Sequence, residues 1–150
     1  MSYQDQEKSV LITGCSDGGI GSALSLNFQA RGFHVFATAR NVSKMSALAN
    51  LPSVTMLTLD VQKSTHIAAA VAAVQNQAGG KLDILINNAG RNHFAPVLDI
   101  DVIEARHIFD VNFWAPLAII QAFSPLVITA RGTIVNVTSI SGHMNVPYMG

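Results

Sequence analysis

Residues 10–21 read VLITGCSDGGIG, and this stretch decides the fold. The apolar run Val10 to Ile12 predicts a strand, and the glycines after it predict a sharp turn into a helix. Glycine lets the backbone come close to a pyrophosphate, while a helix N-terminus offers unpaired N–H groups and a positive dipole end. The stretch therefore indicates a phosphate-binding loop, although glycine-rich turns also occur for steric reasons alone.

Outward from this loop, short apolar runs alternate with segments of helical periodicity. Four further runs predict strands at 33–37, 54–59, 82–86 and 133–137. These runs are almost continuously apolar, as are strands that are buried on both faces. Because strand and helix alternate, we predict right-handed crossovers and a three-layer α/β fold with a doubly wound parallel sheet (the Rossmann fold) of about five strands, in one domain over 1–150. A mixed α+β domain is the alternative.

Two of the intervening helices have predicted boundaries or breaks. Ser64 or Thr65 is expected to cap the start of the second helix, because short hydroxyl side chains accept a bond from the first free amides. A helical stretch is predicted over 99–130. Pro116 and Pro125 are expected to kink or divide it, because proline lacks the N–H that a helix interior needs.

The composition restricts the possible partners and compartment. Hydrophobic types make up 49% of the chain and charged types 12%, which excludes a disordered chain. Nine basic residues balance nine acidic ones, so we expect no nucleic-acid partner. The chain starts with polar residues and lacks a long uninterrupted apolar run. We therefore expect neither a signal peptide nor a membrane span. A single cysteine, Cys15, fits a cytoplasmic protein, and the five histidines lack the spacing of metal ligands, so no metal site is predicted.

The residue after the second strand indicates which dinucleotide binds. In a dinucleotide site, a side chain about 20 residues beyond the loop contacts the adenosine ribose. An acid at that position binds the 2′-hydroxyl of NAD, whereas an arginine accommodates the 2′-phosphate of NADP. Arg40 stands at that place, and no Asp or Glu lies between Asp17 and Asp60. We therefore predict NADP(H) as the cofactor, with a solvated strand-end arginine as the alternative.

Together these motifs resemble those of the short-chain dehydrogenase/reductase family. Residues 13–21 are similar to its TGxxxGxG loop, and residues 87–90 match its NNAG motif. Asp60 matches the acid that receives the adenine amino group, Asn112 the helix asparagine, and Ser139 the catalytic serine. The sequence of the loop is similar to that in a fungal branch of the family related to 1-acyldihydroxyacetone-phosphate reductase.

The resemblance implies hydride transfer between NADP(H) and a small-molecule carbonyl or alcohol. It implies that Ser139 holds the substrate oxygen and that Asn112 supports proton delivery. The residues that it assigns to the cofactor come from the loop and the strand ends: Ile12, Gly14, Ser16, Asp17, Gly19, Ile20, Gly21, Arg40, Asp60, Val61, Asn88, Ala89 and Gly90.

The loop departs from the family pattern in its length. Four residues rather than three separate Gly14 from Gly19. We expect Gly18 to absorb the extra residue, because glycine adopts turn conformations that other residues avoid.

A second departure concerns the family's catalytic Tyr-x-x-x-Lys pair. Neither Tyr3 nor Tyr148 has a lysine four residues on, and we interpret Tyr148 as part of a loop that leads to the missing helix. The chain is therefore expected to lack the C-terminal part of the family fold and to have impaired activity. The alternative is a non-catalytic NADP-binding remnant, a pseudoenzyme or the product of a truncated gene.

An incomplete sheet would leave apolar surface uncovered. The last predicted strand would form an exposed edge, and such edges favour pairing with another chain. The neighbouring helical face carries Phe109, Phe113, Trp114, Leu117 and Ile120. We therefore expect homo-oligomers or self-association through this edge and face.

Overall fold

A computed structural model describes residues 7–144, and both tyrosines, with the expectation about Tyr148, lie outside this range. Its strands are β1 (Ser9–Thr13), β2 (His34–Ala39), β3 (Val54–Thr58), β4 (Ile84–Asn87) and β5 (Thr133–Asn136). Its helices are α1 (Ile20–Ala30), α2 (Ser64–Gln77), α3 (Val102–Phe109) and α4 (Ala115–Ala130). Short 3₁₀ turns cover Val42–Lys44, Ser46–Leu48 and Ile140–Gly142, and a π-helical turn covers Asp110–Trp114.

The five strands form one parallel sheet in the order β3-β2-β1-β4-β5. In the centre, Val10 lies between Val35 of β2 and Ile84 of β4. Strand order reverses beside β1, so the loop after β1 opens at the switch point, where ligands bind in sheets of this kind. The doubly wound parallel sheet predicted from the sequence is confirmed.

Two apolar cores, one on each face of the sheet, make the fold three-layered. On one face, Leu11 and Phe36 pack with Val74 of α2 and Phe123 of α4. On the other face, a second set of strand residues packs against α1 through Leu24 and Phe28, with Met45 and Leu48 of the β2–β3 connection. The central strands β1, β2 and β4 are buried on both faces, which explains their continuous apolar runs in the sequence.

The predicted cap of α2 is wrong. The helix begins at Ser64 itself, its N-cap is Lys63, and no side-chain hydrogen bond caps it. The helix ends at Gln77, and Gly79 and Gly80 after it both have a left-handed φ, at 60° and 77°. A glycine in that conformation ends a helix at little steric cost.

The prolines in the 99–130 stretch do not divide the helix. The break precedes Pro116, where the Ala115 amide bonds to the Asp110 carbonyl across a π-helical turn. Pro116, which lacks an N–H, follows this turn in the first turn of α4, and α4 continues through Pro125.

By length and composition alone, Val102–Ala130 is the one helical stretch among residues 7–144 that could cross a membrane, with a mean hydropathy of 1.6. In this fold its second half packs Ile119, Phe123 and Leu126 into the core under the sheet. Such packing is what a core helix of an α/β domain shows. The expectation of no membrane span stays a prediction.

The expected exposed surface is present at β5. This strand is the edge of the described sheet, and its Ile134 and Val135 are 37% and 41% exposed. On the neighbouring helical face, Phe109, Phe113 and Trp114 are more than half exposed, whereas Ile120 packs partly against the core.

Candidate functional site

The glycine-rich loop is held in contact with the end of β4. Gly14 has a φ of +76°, and a Cβ there would lie 2.9 Å from the Ala89 Cα. A Cβ on Gly21 would lie 2.4 Å from the Gly14 carbonyl oxygen. Glycine is thus required at both positions, because the loop, the start of α1 and the β4 end approach too closely for a side chain.

Gly18 adopts a left-handed turn in the loop. This residue has a φ of +75°, and nothing lies within 4 Å of where its Cβ would be. The chain turns there before α1 begins at Ile20, and the Gly19 amide donates to the Ser16 carbonyl. That this turn absorbs the extra loop residue stays a prediction.

Thr13 and Asn88 join the two strand ends by hydrogen bonds. The Thr13 hydroxyl accepts from the backbone amides of Asn88 at 3.0 Å and Ala89 at 2.9 Å. In return, the Asn88 side-chain amide donates to the Thr13 carbonyl at 2.8 Å and the Gly14 carbonyl at 3.1 Å. The Asn88 side chain is therefore occupied in shaping the loop.

A cavity of about 550 Å³, here called the first cavity, lies at the carboxyl ends of β1, β2 and β3. Nine of the residues predicted to bind cofactor line it: Gly14, Ser16, Ile20, Arg40, Asp60, Val61, Asn88, Ala89 and Gly90. Arg40 follows β2, and among residues 7–144 no side chain forms an ion pair or hydrogen bond with its guanidinium. A cavity with a glycine-walled end and an unpaired cation fits a phosphorylated nucleotide.

Asp60 stands beside Arg40 after the neighbouring strand. Its backbone amide donates to Nδ1 of His66 at 3.2 Å, and its carboxylate accepts from the Gln62 amide at 3.2 Å. Lys63 lies 4.0 Å from the same carboxylate. These contacts fix the Asp60 backbone at the cavity wall, where an adenine amino group would need an acceptor.

Four predicted cofactor residues lie outside the lining of the first cavity. The Ile12 side chain is fully buried in the core. Gly21 packs against the Gly14 carbonyl, and Gly19 is the N-cap of α1. Asp17 instead contacts the turn Ser46–Leu48, so its carboxylate is occupied by the protein itself.

The second cavity, of about 830 Å³, lies between the ends of β4 and β5 and the start of α4. Its lining includes both predicted catalytic residues, Asn112 and Ser139. Residues 88–91 and Ile20 line both cavities, so the two are adjacent. An extended ligand could therefore reach from Arg40 to Ser139.

Asn112 and Ser139 differ in the freedom of their side chains. The Asn112 side-chain oxygen accepts from the Arg91 amide at 2.8 Å, and its NH₂ group donates to the Arg91 carbonyl at 2.7 Å. The side chain therefore holds the loop after β4. The Ser139 hydroxyl is exposed, contacts Ser141, and caps the turn Ile140–Gly142.

Several contacts within the site were not predicted from the sequence. Thr13 gave a usable signal, because a threonine directly before the loop glycine has its hydroxyl near the strand end. Arg91 lines both cavities and its guanidinium pairs with Glu104, a contact between distant segments that no local pattern indicates. Asn87 donates to Asn136 at 2.9 Å, again across two strands.

Groups with other possible chemistry lie away from the cavities. His93 and His143 are exposed and line neither cavity. Within the described part of the chain, no cluster of His, Cys, Asp and Glu is suited to a metal ion. The Cys15 thiol is buried, and burial raises its pKa, which disfavours the reactive thiolate.

The described fold and site define a class of protein: a three-layer α/β domain with a glycine-rich loop and a nucleotide-sized cavity at the switch point of a parallel sheet. Residues 8–150 match the family model of the short chain dehydrogenases. The chain belongs to the short-chain dehydrogenase/reductase family.

Relatives in fungi are similar over most of this chain. The short-chain dehydrogenase ptmH of Penicillium ochrochloron is 56% identical over 136 residues, which are 91% of this chain and 50% of that protein. The NADPH-dependent 1-acyldihydroxyacetone phosphate reductase of Schizosaccharomyces pombe is 43% identical over 140 residues, 93% of this chain and 47% of that protein. The chain thus spans about half the length of these relatives.

Solved structures share the fold. A short-chain dehydrogenase from Streptomyces avermitilis has a TM-score of 0.85 and 28% identity, covering 95% of this chain and 53% of its own. A structure of ElxO with NADP bound has a TM-score of 0.84 and 26% identity, covering 95% of this chain and 60% of its own.

Proposed function

We propose that this chain is the dinucleotide-binding domain of an NADPH-dependent oxidoreductase that acts on a small carbonyl or alcohol. One observation carries the proposal: the guanidinium of Arg40 is unpaired among residues 7–144 and lines a cavity whose other end is the glycine-rich loop. A 2′-phosphate would satisfy that cation with charge-assisted hydrogen bonds. The NADPH-dependent relative and the NADP-bound neighbour support this choice of cofactor.

The residues of this chain would divide the work between the two cavities. Arg40 would hold the 2′-phosphate, Asp60 the adenine edge, and the amides after Gly14 the pyrophosphate. The second cavity would receive the nicotinamide end and the substrate, with the Ser139 hydroxyl donating to the substrate oxygen. Bound NADPH supplies the hydride, which is the chemistry of the cofactor itself.

A second candidate is that these 150 residues by themselves bind NADP without catalysing hydride transfer. The 150 residues contain no tyrosine with a lysine four positions on, and a serine hydroxyl of ordinary acidity is a poor proton donor to an alkoxide. On this proposal, the chain binds NADPH but reduces carbonyls slowly or not at all. We further propose a cytoplasmic location and self-association through the β5 edge and the exposed α3–α4 face.

The binding of NADPH and NADH to the purified chain, followed by titration calorimetry, tests the cofactor. We expect NADPH to bind about 10- to 100-fold more tightly than NADH, because hydrogen bonds to a charged group contribute about 1.5–3 kcal/mol. Arg40→Ala should remove this preference, whereas Arg106→Ala, on α3 and outside both cavities, should keep it. Equal affinities in the unaltered chain would refute NADPH as the cofactor.

Catalysis is tested separately by following NADPH oxidation with simple ketones and aldehydes. Tight NADPH binding without turnover would favour the non-catalytic protein. Turnover at rates normal for an oxidoreductase would refute it.

A further inference from the structure

The segment between β2 and β3 carries Arg40 at its start and then forms two short 3₁₀ turns, Val42–Lys44 and Ser46–Leu48. The side chains of Met45 and Leu48 are buried and fix its inner side. Its outer side lies next to the glycine-rich loop. How this outer side is held determines where the backbone beside Arg40 lies.

A single loop residue, Asp17, holds the outer side. Its backbone amide donates to the Lys44 carbonyl at 2.7 Å. One carboxylate oxygen accepts from the amide and the hydroxyl of Ser46, both at 2.8 Å, and the other accepts from the Ala47 amide at 3.0 Å. We call these four hydrogen bonds the Asp17 clamp.

The clamp belongs to the lengthened part of the loop. Asp17 directly precedes Gly18, which has a left-handed φ. From this position the Asp17 carboxylate reaches the Ser46–Leu48 turn, while Gly14 and Ser16 lie at the cavity wall. Asp17 therefore connects the loop to the β2–β3 segment.

These hydrogen bonds also explain how a carboxylate can lie close to a site for a phosphate, which carries charge of the same sign. Donation from the Ala47 amide and from Ser46 holds the pKa of Asp17 below its usual value, so the group is an anion at neutral pH. Its charge is met by donors of the turn. The Asp17 carboxylate therefore holds the turn in place, and its hydrogen bonds are present before any ligand binds.

We propose that Asp17 is a positioning residue for the 2′-phosphate: its clamp fixes the β2–β3 segment so that Arg40 faces the first cavity, and it thereby sets the preference for NADPH over NADH. The proposal rests on the proposed NADPH binding. It differs from a direct cofactor contact of Asp17, since the carboxylate bonds to Ser46 and Ala47.

The test measures NADPH and NADH dissociation constants for the unaltered chain and for Asp17→Ala. We expect NADPH to bind about tenfold more weakly in the variant and NADH to change by no more than about twofold, because the three carboxylate hydrogen bonds to the turn are lost but the pyrophosphate amides remain. Asp99→Ala, an exposed acid outside both cavities, is the matched control and should change neither constant.

Arg40→Ala provides the decisive background. If Asp17 acts through Arg40, the double variant Asp17→Ala, Arg40→Ala should have the same NADPH dissociation constant as Arg40→Ala alone, within about twofold. The effects of two coupled residues are not additive. An equal weakening of NADPH and NADH, or an additive loss in the double variant, would mean a general effect on the loop and would overturn the proposal.

Two further variants keep the test decisive. Ser46→Ala removes only the hydroxyl donor and should weaken NADPH binding about threefold, so it replaces Asp17→Ala if that variant does not fold by circular dichroism. Asp17→Asn removes the charge and keeps one acceptor oxygen. If it binds NADPH more tightly than the unaltered chain, the carboxylate acts by repelling the phosphate and the proposal is wrong.

Failure of the cofactor assignment has a different signature. An unaltered chain without a preference for NADPH refutes the proposed function, and the role of Asp17 in that preference with it. A preference that persists in Asp17→Ala refutes only the role of Asp17.

Discussion

Replacing Thr13 by valine tests whether the join between the loop and β4 stabilises the domain. Thr13 is 1% exposed, and its hydroxyl accepts from the amides of Asn88 and Ala89. Valine has nearly the same shape but leaves both amides without this acceptor. Each unpaired amide in a partly buried place costs about 1–2 kcal/mol, so the free energy of unfolding should fall by about 2–4 kcal/mol.

Sterics add to this loss. The two amide nitrogens lie 3.0 and 2.9 Å from the Thr13 oxygen, which are hydrogen-bond distances. A methyl group in that place needs about 3.5 Å, so the turn at Asn88 and Ala89 must move by about 0.5 Å. This turn lines both cavities, and NADPH affinity should fall together with stability.

The assay is thermal unfolding followed by circular dichroism, with Thr13→Ser as the matched control. Serine keeps the hydroxyl and loses one methyl group, worth about 1 kcal/mol. At about 2–4 °C per kcal/mol for a chain of this size, the valine variant should melt about 4–16 °C below the unaltered chain. A valine variant as stable as the serine variant would refute the reasoning.

Two other predictions concern the same loop. Gly21→Ala places a Cβ 2.4 Å from the Gly14 carbonyl oxygen and should lower the free energy of unfolding by at least about 2 kcal/mol in urea denaturation. Gly142→Ala adds a Cβ in open space and should have little effect; equal stability of the two variants would contradict the close approach. The Cys15 thiol is buried with a raised pKa, so a disulfide reagent should label it slowly in the folded chain and rapidly in urea. Rapid labelling without urea would contradict this burial.

The sequence predicted the sheet well because its signals are local. Five apolar runs that alternate with segments of helical periodicity are enough to specify β1 to β5 and their parallel pairing. The α2 cap failed for a local reason too: Ser64 and Thr65 favour a cap in general, but the helix begins at Ser64 after Lys63. A difference of one residue in the start of a helix is beyond what a pattern of residue types fixes.

The long helical stretch shows a second kind of limit. Two prolines in the sequence suggested kinks, yet Pro116 falls in the first turn of α4 and Pro125 is accommodated inside it. The actual irregularity is the π-helical turn Asp110–Trp114, which contains Asn112. That asparagine bonds to the Arg91 backbone, a partner 21 residues away that sequence periodicity does not indicate.

The site residues separate into two groups that the sequence could not distinguish. From the sequence, Asp17, Gly21 and Asn88 were assigned to the cofactor alongside Arg40. In the structure, the first three form their contacts within the protein, whereas the Arg40 guanidinium is unpaired among the described residues. A residue that shapes the cavity has partners within the protein, whereas a residue that faces the cavity, such as Arg40, has none among the described residues. The partners come from distant segments of the chain, so the sequence pattern around each residue does not show them.

This distinction has a thermodynamic consequence. A substitution at Thr13, Gly21 or Asn88 removes contacts present in the free protein, so stability and binding should fall together. A substitution at Arg40 removes only contacts made with the ligand, so binding should fall while stability stays the same or rises, because an unpaired cation at the cavity wall contributes nothing to folding. A plot of NADPH binding free energy against the free energy of unfolding for these variants therefore separates residues that shape the cavity from residues that face it. If Arg40→Ala loses as much stability as Thr13→Val, Arg40 belongs with the residues that shape the cavity.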